Sequence, residues 1–342
     1  MVGDIVESIC REYCILALEE ENQLTKEAGE VDADGVALLC CSGDMRCTTR
    51  GSGRTYASFC GCFTLIGCHT GKVLYCAFFD KMCAKCEHAL RTNKPRPEHR
   101  CFKGAYGIYG TEDGQTTGVV DEEWTESSKA METHGAFMST LAVGLYRFEE
   151  FGLRARISSF IADEDSTMRA RMNGPNVPGI LKPVIKLSDP NHLKKLMTGD
   201  LIDLRKQQKW SGRILSESII KYIVYNYMVL LKSVCVAQHI EDRVQFMIGA
   251  IANIVDHLLG CHGKCSDYII PDEDGKGKTR HWCKVAGGDA DHKPNLPGGA
   301  YLSRSAVDGY YEGIRMRVLK KYMDPVVIEK QLHGFLRMVM SP

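Results

Sequence analysis

Cysteine and histidine residues with the spacing of metal ligands occur in two parts of the sequence. In the first part, two residues separate Cys83 from Cys86, which lets both thiolates of one turn reach the same tetrahedral zinc ion. Cys101 or His88 could complete this ligand set. A single pair with this spacing also occurs without a metal, so a pair of ordinary free thiols is the alternative.

The second group lies further along the chain, where six cysteine and histidine residues fall within residues 257–283. Thiolate and imidazole are the ligands that zinc prefers in structural sites. We take four residues of this group as zinc ligands: His257, His262, Cys265 and Cys283. The sequence therefore predicts a second zinc site.

Acidic residues with a different chemistry follow two apolar runs. Asp44 follows the run at 35–41, and Asp163 follows the run at 154–162. If the two runs are neighbouring strands, the carboxylates repel each other unless they bind a divalent cation such as Mg²⁺ or Mn²⁺. Two such cations can activate a water or a 3′-hydroxyl and stabilise the leaving oxygen of a phosphodiester. The alternative is a turn at Asp44 and a helix N-terminus at Asp163.

The elements that position these residues follow from hydrophobic periodicity. Residues 1–30 predict a helix. Three strands on short connections, a helix, a strand, a helix and a strand follow, in these segments: 35–41, 56–67, 72–79, 127–150, 154–162, 167–172 and 183–187. This is the order of an RNase H-like core, an α/β fold with a mixed sheet flanked by helices, in which the first and fourth strands are adjacent. The apolar spacing at 215–259 predicts an all-helical, zinc-bearing insertion after the fifth strand.

Composition and charge restrict the classes of protein that this chain can represent. It has 342 residues and 16 cysteines, with 43 Lys and Arg against 43 Asp and Glu. No apolar run approaches the ~18 residues of a membrane span. The first 30 residues lack the layout of a signal peptide. We therefore expect a chain that is not secreted and whose thiols stay reduced. Cysteines in apolar runs then pack as small hydrophobic residues.

The neutral total conceals two basic regions. Residues 81–103, which we expect to form a loop, hold seven Lys and Arg against two Glu, and residues 182–213 hold eight against three Asp. A local excess of cations can bind DNA phosphates although the whole chain is neutral. A solvated helix face is the alternative.

Seven short motifs, taken in order, resemble those of Mutator-like transposases over roughly residues 35 to 335. They lie at Asp44–Ser52, Lys81–Cys86, Ser127–Glu132, Ile161–Ser166, Lys186–Lys195, His257–Cys265 and Trp282–Lys284. The resemblance implies an RNase H-like transposase core with an Asp-Asp-Glu triad that cuts and joins DNA at transposon ends with magnesium. It also implies a location in the nucleus and is compatible with a homo-oligomer.

Carried over residue by residue, the resemblance makes Asp44 the first catalytic acid and Asp163 the second, with Asp165 the adjacent acid of the same motif. The family's third acid follows a His-Gly segment. Here Gln331–Phe335 resembles the start of that segment, and no Glu or Asn follows it before Pro342. We therefore expect a degenerate copy, truncated before the third acid, with little or no transposase activity.

Two other functions stay open on this reading. One is a catalytically inactive, domesticated DNA-binding protein that keeps the zinc sites. The other is an RNase H-like nuclease that uses a further acid, such as Asp189 or Glu132. The expected organisation is an N-terminal helical segment, the RNase H-like core, the helical insertion with its Cys/His cluster and a truncated C-terminal segment, at residues 1–34, 35–200, 201–290 and 291–342.

Overall fold

A computed structural model of the chain forms two compact units, Met1–Lys186 and Leu187–Val339. It describes residues 2–47, 58–99, 101, 103–107, 111–112, 115–116, 124, 126–146, 154–162, 166–207, 215–236, 242–268, 283–286, 288–289, 291–294, 296, 300–302 and 314–339. Each unit has its own hydrophobic core.

A six-stranded mixed sheet is the frame of the first unit. The strands are β1 (Ala37–Cys47), β2 (Cys60–Gly67), β3 (Val73–Asp80), β4 (Gly104–Gly107), β7 (Ala155–Ala162) and β8 (Ile185–Ser188), and a separate small hairpin contains β5 (Thr111–Glu112) and β6 (Gln115–Thr116). The strand order in the sheet is β4-β3-β2-β1-β7-β8. β1, β2 and β3 pair antiparallel, as the short connection between β2 and β3 predicts for that pair, whereas β1 and β7 pair parallel. An α/β architecture with a mixed sheet is therefore confirmed.

β1 is longer than the predicted run at 35–41, since it continues through Ser42 and Gly43 to Cys47. Asp44 therefore lies inside the strand, opposite Thr64 of β2, and not at the strand end. The reason is the packing at Gly43, where an added Cβ would lie 2.4 Å from the ring of Phe160 and 2.7 Å from the ring of Phe63. The two rings occupy the space of a side chain, so a residue typical of turns is accommodated within a strand.

Helices cover both faces of this sheet. The first unit contains α1 (Val2–Glu27), α2 (Ala84–Arg91), α3 (Ser128–Leu145) and α4 (Ser166–Met172). Cys14 of α1 hydrogen-bonds to the thiol of Cys76, and Gly135 of α3 packs on Phe63. Cys76 pairs with Thr64, next to Phe63, and neighbouring residues of a strand point to opposite faces. α1 and α3 therefore flank the sheet from opposite sides.

The second unit is helical in its described parts, in agreement with the prediction for residues 215–259. Its helices are α5 (Pro190–Gln207), α6 (Glu217–Val236), α7 (Arg243–Ala252), α8 (Ile254–Leu258), α9 (Lys320–Tyr322) and α10 (Pro325–Val339), with a 3-10 turn at Cys265–Tyr268 and a π-helical turn at Ile314–Leu319. The central helix α6 is fixed to α10 by a hydrogen bond that the hydroxyl of Tyr227 donates to Gln331. None of the helices in the described residues combines the length and the apolar character needed to cross a membrane.

Candidate metal centres

Cluster 1, which consists of Cys83, Cys86, His99 and Cys101, brings four ligand atoms together at the start of α2. All four atoms lie within 4.8 Å of one another. His99 Nε2 is 3.1 Å from Cys83 Sγ and 3.6 Å from Cys86 Sγ, and the sulfurs of Cys86 and Cys101 are 3.6 Å apart. The bond lengths of tetrahedral zinc require S···N edges of about 3.6 Å and S···S edges of about 3.8 Å. The cluster therefore has nearly the dimensions of a zinc tetrahedron.

The surroundings of cluster 1 fix the tautomer of His99 and favour the thiolate of Cys83, whereas burial raises the pKa of the Cys86 thiol to about 11. His99 Nδ1 lies 2.7 Å from the carbonyl oxygen of Pro97, an arrangement in which Nδ1–H donates to the carbonyl and Nε2 keeps its lone pair for a metal. Cys83 precedes the first residue of α2. A hydrogen bond from the backbone N–H of Cys86, followed by one from His99, lowers the pKa of the Cys83 thiol to about 6. The thiolate, which is the form that binds zinc, is thus accessible at neutral pH.

The sequence prediction named only part of this cluster. Cys83, Cys86 and one of the two suggested completing ligands, Cys101, belong to it. The other suggestion, His88, was wrong, because this residue is exposed on the opposite face of α2, beside Lys85 and Thr92. The fourth ligand, His99, was missed. Its position two residues before Cys101 is the signal that could have identified it.

Cluster 2 lies inside the helical unit and contains the four residues that the sequence analysis selected, namely His257, His262, Cys265 and Cys283. Their ligand atoms also lie within 4.8 Å of one another. Cys283 Sγ is 3.3 Å from His262 Nδ1. Cys265 and Cys283 are at most 1% exposed and belong to the core of this unit. The exposed Cys261 is not part of the cluster.

Aromatic residues hold the histidines of cluster 2. The hydroxyl of Tyr222 lies 2.8 Å from His257 Nδ1, which leaves Nε2 as the nitrogen that can bind a metal. The ring of Tyr301 packs edge-on against both imidazoles. The thiol of Cys283 raises the pKa of the Cys265 thiol through a hydrogen bond, and burial raises it further. Both effects favour the neutral form of the Cys265 thiol in metal-free protein.

The donor sets of both clusters fit zinc. A Cys₃His set and a Cys₂His₂ set are the soft and borderline combinations of closed, four-coordinate structural sites. Both clusters could hold a metal ion such as zinc.

The predicted acidic site is described only in part. Asp44 is exposed. Its neighbours Gly43 and Met45 face the core under α3, so alternation turns Asp44 to the other face of the sheet. Its Oδ1 accepts a hydrogen bond of 2.8 Å from the N–H of Met45. Asp163 and Asp165 lie outside the described residues.

The two alternative acids occupy different places. Asp189 precedes α5 and accepts the N–H of Asn191 at 2.8 Å, so it serves as a helix cap before Pro190. Glu132 is half-buried in the first turns of α3. Burial raises the pKa of the Cys47 thiol, and the negative charges of Glu132 and Asp44 add to this increase. The charges of Glu132 and Asp44 therefore both influence the Cys47 thiol.

Comparison with known families matches residues 1–269 of the chain to the Mutator-like transposase family. The match covers the sheet, cluster 1 and three of the four residues of cluster 2. Neither the curated proteins nor the solved structures include a match to this chain.

Proposed function

The chain belongs to the Mutator-like transposase family, and we propose that its ancestral reaction is magnesium-dependent cleavage and joining of DNA phosphodiesters by an RNase H-like domain. The family implies DNA binding. The single observation that carries the proposal is the parallel pairing of β1, which contains Asp44, with β7, which ends one residue before Asp163 in the sequence.

The arrangement of the sheet supports the RNase H-like part of the proposal. Five strands follow one another in the sheet in the order β3-β2-β1-β7-β8. β2 pairs antiparallel with both β1 and β3, and β7 pairs parallel with β1. The sequence analysis expected two features of this arrangement for such a core, the antiparallel meander of three strands and the adjacency of the first and fourth strands. β4 extends the sheet by one strand beyond β3. In the same proposal the core occupies residues 35–200, and the helical insertion with cluster 2 occupies residues 201–290.

The register of β1 and β7 supports the location of the acidic site. Ser42 pairs with Ile161. Asp44 lies two positions after Ser42, and Asp163 lies two positions after Ile161, so continuation of this register would make the two acids neighbours. Mg²⁺ would be held by Asp44 and Asp163, with Asp165 beside them, because carboxylate oxygens are its preferred protein ligands. When bound, the ion supplies activation of a water or 3′-hydroxyl and stabilisation of the leaving oxygen.

A nicking assay with the full chain tests this proposal. Zinc-loaded protein is incubated with supercoiled plasmid, with and without Mg²⁺, alongside Asp44→Asn and the matched control Asp34→Asn. Asp34 is an exposed aspartate of the same unit that lies outside the proposed site. A chain that retains this reaction should show nicking that requires Mg²⁺, is lost in Asp44→Asn and persists in Asp34→Asn, whereas a degenerate copy should show little or none.

A DNA-binding zinc protein without catalysis is the second candidate function. The observation that favours it is the closed form of both clusters, since all four ligands of each come from the protein and none of the positions is open for a substrate. Salt-sensitive DNA binding without nicking in the same assay would support this candidate and the expectation of a degenerate copy. Absence of both binding and nicking would contradict both candidates.

A further inference from the structure

The short helix α2 has two different faces. Cys86 and Ala89 form its buried face, and Cys86 is a ligand of cluster 1. On the outer side, Lys85, His88 and Arg91 are exposed. Cluster 1 therefore lies directly beneath a row of cationic and polar side chains.

The cations of this region are available to a partner. Lys85, Arg91 and Lys94 are exposed, and no carboxylate of the described residues lies within ion-pair distance of any of them. Glu87 and Glu98 are the only acids between residues 81 and 103. The potential over this surface is therefore positive and is not cancelled locally.

A cavity of about 430 Å³ lies between α2 and the following segment. Lys85 and Lys94 line it together with Ala89, Pro95 and Pro97. Apolar side chains flanked by cations match the alternating sugar and phosphate groups of a DNA strand. The negative charge of DNA makes it the partner whose charge complements this surface.

We propose that Lys85, Arg91 and Lys94, defined here as the cluster 1 surface, dock the phosphate backbone of DNA, and that metal at cluster 1 maintains this surface. The inference rests on the proposed function, because it assigns a place to the DNA binding implied there. A helix of eight residues is too short to be stable alone. The four ligands tie the start of α2 to His99 and Cys101, so the metal restrains both ends of the chain segment that lines the cavity. Contacts to phosphates make this docking independent of DNA sequence.

Fluorescence anisotropy with a labelled duplex of arbitrary sequence tests the inference. The full zinc-loaded chain is titrated at several salt concentrations, and the logarithm of affinity is plotted against the logarithm of salt. In the triple variant Lys85→Gln, Arg91→Gln and Lys94→Gln, loss of three phosphate contacts should reduce the slope by about 2.7. When the salt is raised from about 50 to about 200 mM, the DNA affinity of both proteins should fall. The factor by which it falls should be about 40 times smaller for the variant than for the wild type.

A matched triple variant controls for net charge. Lys232→Gln, Arg317→Gln and Lys320→Gln remove the same three charges from exposed positions of the helical unit, and the slope should stay near that of the wild type. Equal slopes for the two triple variants would overturn the inference, although the proposed function would stand. A wild-type protein that binds no DNA would instead contradict the proposed function itself.

Two further measurements address the metal and the class of partner. Cys101→Ser removes an exposed ligand of cluster 1 and should lower both the zinc content and the DNA affinity while the circular dichroism spectrum of the chain is retained. Full DNA affinity in a variant that has lost this zinc would overturn the structural role of the metal. If poly-glutamate competes more strongly than duplex DNA, the surface is a site for an acidic protein, and the inference is wrong.

Discussion

Removal of one hydroxyl group tests whether cluster 2 binds a metal in the geometry described. Tyr222 is 8% exposed, and its hydroxyl lies 2.8 Å from His257 Nδ1. When Nε2 binds zinc, Nδ1 carries the proton and donates it to this oxygen, which fixes the imidazole tautomer and ring orientation. Loss of such a supporting hydrogen bond typically lowers metal affinity about 10- to 100-fold, which corresponds to about 1.4–2.7 kcal/mol.

The variant Tyr222→Phe also removes a buried hydrogen bond from the metal-free protein. That loss alone costs about 1 kcal/mol of unfolding free energy. Urea unfolding with and without zinc, together with zinc titration against a chelator, separates the two effects. We expect the variant to lose about 1.4–2.7 kcal/mol more in the presence of zinc than in its absence. Tyr225→Phe is the control, since Tyr225 lies on the same helix and is 66% exposed.

Equal zinc affinity in Tyr222→Phe and the wild type would refute the reasoning about His257. A Cys283→Ser variant then identifies the step that failed. If Cys283→Ser loses one zinc per chain, the metal is bound and the tyrosine does not orient its ligand. If the zinc content is unchanged, cluster 2 binds no zinc.

Three further predictions follow from the first unit. Gly43→Ala should lower the unfolding free energy in urea by about 1–3 kcal/mol, because the new methyl group overlaps two packed rings, whereas Gly179→Ala, with nothing within 4 Å of the added Cβ, should change it much less. Burial and a nearby guanidinium lower the pKa of His134 to about 4. Below about pH 6.5 the unfolded chain therefore binds a proton at this histidine that the folded chain does not bind. The unfolding free energy should fall by about 3 kcal/mol between about pH 6.5 and 4. A pH titration in which His134→Gln loses as much stability as the wild type would contradict this assignment. With the pKa of its thiol near 6, Cys83 should be alkylated by iodoacetamide at pH 7 faster than the exposed Cys10 in metal-free protein, and zinc should protect Cys83; mass spectrometry of the peptides measures both rates.

The sheet was largely predictable, because its pairing follows from local features of the sequence. The five-residue connection between β2 and β3 favours their antiparallel pairing, and a connection that contains a helix permits the parallel pairing of β1 with β7. The end of β1 was not predictable. Ser42 and Gly43 are residues typical of turns, and only the packing of Phe63 and Phe160 against Gly43 shows that the strand continues. One of these rings lies more than 100 residues away in the sequence, so no local window contains the information.

In the metal centres, only ligands that lie close together in the sequence could be predicted from their spacing. A two-residue gap identifies Cys83 and Cys86, but 12 residues separate Cys86 from His99, and such a separation does not restrict which histidine folds back. His88 is nearer in sequence, yet residues two positions apart on a helix do not share a face. Once residues 84–91 are assigned to a helix, the same periodicity that buries Cys86 excludes His88. The segment was predicted as a loop, and this error left His88 as an alternative to Cys101.

Metal should stabilise the two units in different ways. In cluster 2 both cysteines belong to the hydrophobic core, so loss of the metal leaves polar groups buried in the interior, and the cost falls on the whole helical unit. In cluster 1, Cys101 is exposed, and the ligands hold one short helix against an exposed segment. Loss of metal there disorders a local surface while the sheet and its core persist. DNA docking through the cluster 1 surface could therefore be removed by a chelator under conditions in which the chain stays folded.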